Sequence, residues 1–202
     1  MTLPTASMTA SPDLDLARRC LQGDRAAQER LFDTQRARVH IILFRILGSN
    51  RDMEDLVQEA FVAVFRSLAR YRGEASLATW VDRITTRVAF RYLSRTHPPI
   101  VRLELVNSEV AADRPTAEDE LHGREIARRL YALLDRLDPK YRVAYALHVI
   151  DERPIAEVAA ITEVSFVAAK NRTWRARRMV WNRAQSDPVL KEFLIQPKAK
   201  RK

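Results

Sequence analysis

At 202 residues and 47% apolar, the chain can form one large domain or two small ones around a buried core. Its formal net charge of +9 points to an acidic partner: nucleic acid, an anionic membrane surface or an acidic protein. A single cysteine excludes an intramolecular disulfide framework, and only 4 glycines with little alternating patterning argue against a strand-rich sandwich or barrel.

Residues 1–12 are small, polar and Pro-interrupted, and read as a disordered extension without the basic flank and apolar run of a signal peptide. Pro12 and Asp13 open a short helix with Leu14, Ala17 and Leu21 on one face, Cys20 as a buried structural thiol, and Gly23 as its stop. Asp24 caps a second helix whose apolar stripe is Leu31, Phe32, Val39, Ile42, Leu43 and Ile46, ended by Gly48. Ser49 or Asn50 caps a third. There Met53, Leu56, Val57, Ala60, Phe61, Val64, Phe65 and Leu68 recur at three and four, the clearest helical period in the chain. After a loop at 71–75, Ser76 caps a fourth helix with Leu77, Trp80, Val81, Ile84, Val88 and Tyr92 inward.

His97-Pro98-Pro99 ends that helix, and residues 97–116 read as a linker between domains. Beyond it, Ile126, Leu130, Leu133, Leu134 and Leu137 mark a helix. Asp138-Pro139 is an N-cap followed by Pro at the first helical position, and the helix it opens buries Val143, Leu147 and Ile150. Pro154 opens a helix with Ile155, Val158 and Ala159. A turn at 162–164 leads to a long helix capped by Ser165, and 187–202 reads as a basic tail. The expected fold is all-α: two small helical domains, 13–96 and 117–186, joined by the linker, the C-terminal one holding a helix-turn-helix.

Charge placement sharpens the partner. Between Val164 and Ser186 there is Lys170, Arg172, Arg175, Arg177, Arg178 and Arg183, and no Asp or Glu. A solvated helix usually mixes signs for i,i+4 support, so a uniformly basic one suits a polyanion. Asn171 and Arg172 are of types that pair with adenine and guanine edges, while Arg175, Arg177 and Arg178 suit phosphates. A basic amphipathic helix for a membrane or an acidic protein is the bland alternative, kept open by Trp174 and Trp181. In the N-terminal domain, Asp52, Glu54, Asp55, Gln58 and Glu59 gather on the third helix, either offsetting its dipole or forming a docking face for a basic partner. The fourth helix has the opposite sign: Arg66, Arg70 and Arg72 lead into it, and Arg83, Arg87, Arg91 and Arg95 run along it beside Tyr71, Trp80, Phe90 and Tyr92. Arginines interleaved with rings suit single-stranded DNA; Trp80 suits a core position equally well.

These segments resemble the sigma factors of bacterial RNA polymerase, specifically the extracytoplasmic-function (ECF) group. Asp52-Met-Glu-Asp-Leu-Val-Gln-Glu-Ala-Phe61 resembles that family's polymerase-binding segment. Tyr71-Arg-Gly-Glu-Ala-Ser-Leu-Ala-Thr-Trp80 resembles its −10-opening loop, and Leu134 to Arg142 the entry to its C-terminal domain. Pro154 to Ala159 and Lys170 to Arg177 resemble its −35-reading helix-turn-helix, so the likeness runs from about residue 14 to 183. The resemblance implies core polymerase docking through Asp52, Asp55, Leu56, Gln58, Glu59 and Phe61. It implies −10 contacts from Arg70, Tyr71, Arg72, Trp80, Arg83, Arg87 and Arg91, and −35 contacts from Ser165, Lys170, Asn171, Arg172, Arg175 and Arg177. It also implies promoter DNA as ligand, no cofactor, no membrane partner and a place at the bacterial nucleoid in the cytoplasm; members of the group are often silenced by an anti-sigma factor. The chain departs from the family at four places: Arg87 stands for Asn, Arg91 for Asp, Glu163 for the turn Gly, and Val167-Ala168 for Gly-Thr.

Other classes fare worse. The 4 histidines are scattered and share no metal-ligand spacing with Cys20, and there is no Gly-rich phosphate loop, so the chain reads as non-enzymatic. An autonomous duplex-binding regulator leaves the acidic third helix unexplained.

Overall fold

The computed structural model describes residues 11–96 and 117–194. The N-terminal extension (to residue 10), the linker and the end of the tail therefore lie outside the described residues. Among those described there are helices and no strands.

The first lobe is built from α1 (Pro12–Leu21), α2 (Arg25–Leu47), α3 (Met53–Ser67) and α4 (Leu77–Thr96), with a 3₁₀ turn at Leu68–Arg70. The long α2 buries Leu31, Val39, Ile42, Leu43 and Ile46 against α3 and α4. A fully buried leucine side chain contributes about 1.5–3 kcal/mol, so this stripe anchors the lobe. Asp24 caps α2 by accepting the Ala27 N–H at 3.1 Å, and Gly48 ends it in the left-handed region at φ 68°. The start of α3 differs from the expectation: its N-cap is neither Ser49 nor Asn50 but Asp52, itself left-handed at φ 57°. Ser49 instead takes the Arg51 N–H, and the Asn50 carbonyl takes the Met53 N–H, because the chain must reverse immediately after Gly48. An aspartate tolerates that conformation better than most residues. Leu21 is a second difference. It is 53% exposed, and Cys20 fills the inward position of α1.

The second lobe holds α5 (Ala117–Leu134), α6 (Pro139–Tyr145), α7 (Ile155–Thr162), α8 (Phe166–Ala184) and a short α9 (Leu190–Phe193). Alpha6 runs on into a wider π turn over Ala146–Ile150. Asp138 caps α6 by taking the Lys140 N–H at 3.0 Å, with Pro139 at the first position. Ser165 caps α8 by taking the Ala168 N–H at 3.2 Å. Alpha9 falls where the sequence suggests only tail: Asp187 accepts the Val189 and Leu190 N–H groups, turning the chain so that Leu190 is fully buried.

The lobes pack on one another. Val143, Ala146, Leu147, Val158, Ala159, Ile161 and Ala169 share one apolar cluster with the first lobe, while Tyr131, Leu134, Leu137, Tyr145, Ala176 and Val180 form a second within the C-terminal lobe. The C-terminus of α2 is the seam. Its last carbonyls lack helical partners and carry the negative end of the helix dipole. The Tyr131 hydroxyl donates to the Arg45 carbonyl at 2.9 Å, and the buried Arg142 guanidinium donates to the Ile46 and Leu47 carbonyls at 2.7 and 2.6 Å. Gly48 is required there on two counts. Besides its positive φ, a Cβ would lie 2.2 Å from the Tyr131 ring.

Candidate nucleic-acid interface

The acidic face of α3 is split by packing. Asp55 and Gln58 are exposed, together with Glu54. Leu56 and Phe61 are each only 4% exposed, with the Phe61 ring tilted against Phe32 at a centroid distance of 4.5 Å. Both are core residues that hold the helix in place: the 3.6-residue period turns them away from solvent. Asp52 accepts the Tyr92 hydroxyl at 2.8 Å, and Glu59 accepts Arg91 at 2.8 Å, so both are tied to α4. The sequence reading missed Val62, which is 41% exposed and one turn beyond Gln58 on the same face. The i,i+4 spacing from Gln58 was the available signal.

Alpha4 and the loop before it form two adjoining clefts. One, of about 520 Å3, is lined by Ala69, Arg70, Tyr71, Arg72, Glu74, Ala75, Trp80 and Arg83. The other, of about 360 Å3, is lined by Ala63, Ser67, Arg70, Trp80, Ile84, Arg87, Arg91 and Glu163. Each predicted −10 residue lines one or both. The loop is fixed from several sides. Tyr71 is largely buried, donates its hydroxyl to the Ala75 carbonyl at 2.9 Å and sits 5.5 Å from the Trp80 ring. Burial pushes the Tyr71 phenol above its ordinary pKa. Gly73 adopts φ 74° against Leu14. Asp13 of α1 takes the Leu77 N–H at 2.8 Å, and Ser76 takes the Thr79 N–H. Trp80 is half-buried, neither wholly core nor wholly free, and its ring is shared by both clefts. Such a wall of guanidinium groups around an aromatic ring can hold a phosphate backbone and stack a base.

Glu163 closes one side of the second cleft. It belongs to the turn between α7 and α8, has φ 55°, and lies 3.6 Å from Arg87. The C-terminal lobe thus puts a carboxylate among the arginines of the N-terminal lobe, a juxtaposition that no local pattern could reveal.

Alpha8 separates an inner and an outer face. Ala169, Thr173, Ala176, Val180 and Ala184 are buried at three and four spacing. Lys170 and Arg175 are exposed, and Asn171, Arg172, Trp174 and Arg177 half-buried. Arg178 lies 5.3 Å over the Trp174 ring, and Arg175 donates to the Tyr141 hydroxyl at 3.4 Å. Ser165 serves as the cap. Phe166 and Val167, absent from the expected set, are exposed on its first turn. Among the described residues no helix is long and apolar enough to cross a membrane, and no His, Cys, Asp or Glu cluster is grouped to hold a metal ion.

Residues 31–97 match the Sigma-70 region 2 family model and residues 127–180 the Sigma-70 region 4 model, together more than half of the chain. The chain is 29% identical over 181 residues to the ECF RNA polymerase sigma-E factor of Haemophilus influenzae, covering 86% of this chain and 95% of that protein. Among solved structures, CnrH in complex with the cytosolic domain of CnrY aligns with a TM-score of 0.59 at 24% identity, over 87% of this chain and 98% of CnrH. The sigma factor RpoE of Bartonella quintana, in complex with the anti-sigma factor NepR, aligns with a TM-score of 0.52 at 14% identity, over 79% of this chain and 97% of RpoE. Both show likeness of fold.

Proposed function

Since the chain belongs to the extracytoplasmic-function group of the sigma-70 family, a family of transcription initiation factors, we propose that it joins core RNA polymerase and directs promoter recognition, DNA melting and initiation. The observation that carries this reading is the pair of arginine- and aromatic-lined clefts along α4, in the region-2 match.

In this reading the exposed Asp55 and Gln58 meet a basic surface of core polymerase, while Leu56 and Phe61 fix the helix from inside. The melted −10 strand runs along α4. Arg70, Arg72, Arg83, Arg87 and Arg91 hold its phosphates. The Trp80 ring, backed by Tyr71, takes an unstacked base, whose extrusion costs a few kcal/mol that the new contacts offset. The outer face of α8 enters the major groove of the −35 duplex, with Lys170, Asn171, Arg172, Arg175 and Arg177 dividing base and phosphate contacts and Ser165 holding the helix start. Residues 97–116 tether the two DNA-binding lobes, so that two modest affinities act as one tighter one. The protein works in the cytoplasm, and an anti-sigma factor holds it in reserve, as NepR is bound to RpoE of B. quintana.

The test is in vitro transcription with the full chain added to sigma-free core polymerase on genomic fragments of the source organism. Discrete start sites that depend on the protein are expected. No initiation from core polymerase that another sigma factor activates would overturn the reading.

A further inference from the structure

The first turn of α8 carries two large apolar side chains in water. Phe166 is 53% exposed and Val167 65%, although the opposite face of the same helix is well packed. Exposed apolar groups are common singly; two in succession at the tip of a helix with no Asp or Glu from residue 164 to 186 are not explained by the fold. Neither belongs to the apolar clusters of the two lobes, and Ser165 already caps the helix. Their surroundings identify the partner. Lys170 lies one turn further on the exposed side, followed by Arg175 and by Arg178 over Trp174. That is an apolar tip in a cationic frame, complementary to a surface with an apolar spot between lines of phosphate.

Duplex DNA offers such a spot in one chemical form: the C5-methyl of thymine, the apolar group that the bases display in the major groove. In a helix-turn-helix the N-terminal residues of the second helix reach the base edges. We propose that Phe166 and Val167 are specificity-determining residues that read thymine methyl groups in the upstream promoter element. The inference rests on the sigma-factor reading above and deepens it. Selectivity for thymine arises because the two side chains desolvate against its methyl, whereas a cytosine at that step offers no methyl group and leaves its amino group without a partner. Lys170 and the arginines supply affinity that is indifferent to sequence.

The experiment uses the full chain with core polymerase on a promoter located by the transcription assay. Each thymine of the upstream element is replaced in turn by deoxyuridine, which keeps every hydrogen-bonding group and removes only the methyl. For the unaltered protein, uracil at one or two positions should lower upstream-element binding and initiation by about fourfold per methyl, the value of one buried CH2-sized group. Phe166→Ala or Val167→Ala should bind the thymine promoter more weakly and lose the distinction between thymine and uracil at the matching position; Phe166→Leu should keep part of it. Both side chains are exposed, so unchanged thermal unfolding should accompany each variant. Initiation equally strong on uracil templates, or discrimination retained in both alanine variants, overturns the inference and leaves the sigma-factor reading standing. So does loss of core-polymerase capture by these variants with uracil discrimination unchanged, which would place the patch on a protein interface. Absence of initiation from any template overturns the sigma-factor reading and this inference with it.

Discussion

Gly48 and Tyr131 show how much of the lobe contact rests on single residues. Glycine is needed both for φ 68° and for the approach of the Tyr131 ring. Gly48→Ala should cost about 1–2 kcal/mol for the left-handed conformation alone, with a further loss from displacing Tyr131. Thermal unfolding would register it, and a midpoint within a degree of wild type would argue against this packing. Tyr131 itself makes stability pH-dependent. Burial pushes its phenol up to about 12 from an ordinary 10, against a smaller pull downward from Arg142 and Arg45. Between those values the unfolded chain has lost the proton that the folded chain retains, so stability is fully present below pH 10 and declines up to about pH 12. Urea unfolding of wild type and Tyr131→Phe across that window should show a steeper decline for wild type; parallel curves would mean that the phenol is not buried.

At the scale of the element, α3 and α4 divide labour by sign. On α3 the exposed carboxylate and amide groups lie opposite an apolar face that holds Leu56 and Phe61 inside. Asp55→Lys with Gln58→Lys should therefore abolish capture of core polymerase with the helical circular-dichroism signal intact. Undiminished capture in a pull-down would remove this helix from the docking surface. On α4 the half-buried Trp80 is the ring we propose as the stacking platform. Trp80→Ala should weaken binding of a single-stranded −10 oligonucleotide by about tenfold or more, the usual worth of a base–aromatic stack being about 1–3 kcal/mol. Fluorescence anisotropy measures this directly, and affinity unchanged beyond twofold would return Trp80 to a packing role.

At the scale of the whole molecule, the two lobes are clasped through charge as well as apolar contact. Asp82 of α4 is fully buried. It accepts two bonds from Arg38 at 2.7 Å and one from Arg153 of the C-terminal lobe at 2.6 Å. The Asp82 carboxylate raises the Arg38 pKa, chiefly through those hydrogen bonds. Arg153 also holds Glu157 at 2.6 Å and pairs with Asp151, which in turn pairs with Arg45 of α2. Breaking a buried pair costs about 3–5 kcal/mol, and Arg153→Ala should lie near the lower end because Arg38 still holds Asp82. The Arg87–Glu163 pair is different: both side chains are more than half exposed. Such pairs are worth about 0–1 kcal/mol. On the proposed reading Glu163 competes with a phosphate for Arg87, so Glu163→Gln should tighten single-strand binding by up to about fivefold, and more at low salt. An affinity that falls instead would show that the carboxylate shapes the cleft.

The sequence alone determined the helices other than α9, nearly all of their ends and the placement of charge along the chain, because these are local properties. Caps such as Asp24, Asp138 and Ser165 act within one turn, apolar spacing selects the buried face, and the uniform charge of α8 is visible without coordinates. Local rules also erred where the chain had to reverse quickly, as at Asp52, and where an isolated helix face was ambiguous, as at Leu21. What only the tertiary structure decided is non-local. The burial of Asp82 between two arginines and the grip of Tyr131 and Arg142 on the end of α2 join residues more than 40 positions apart. Helical periodicity carries no information about which faces meet. That choice is made by packing and by the need of every buried charge and carbonyl for a partner, and here it brings Glu163 to the mouth of an arginine-lined cleft formed by the other lobe.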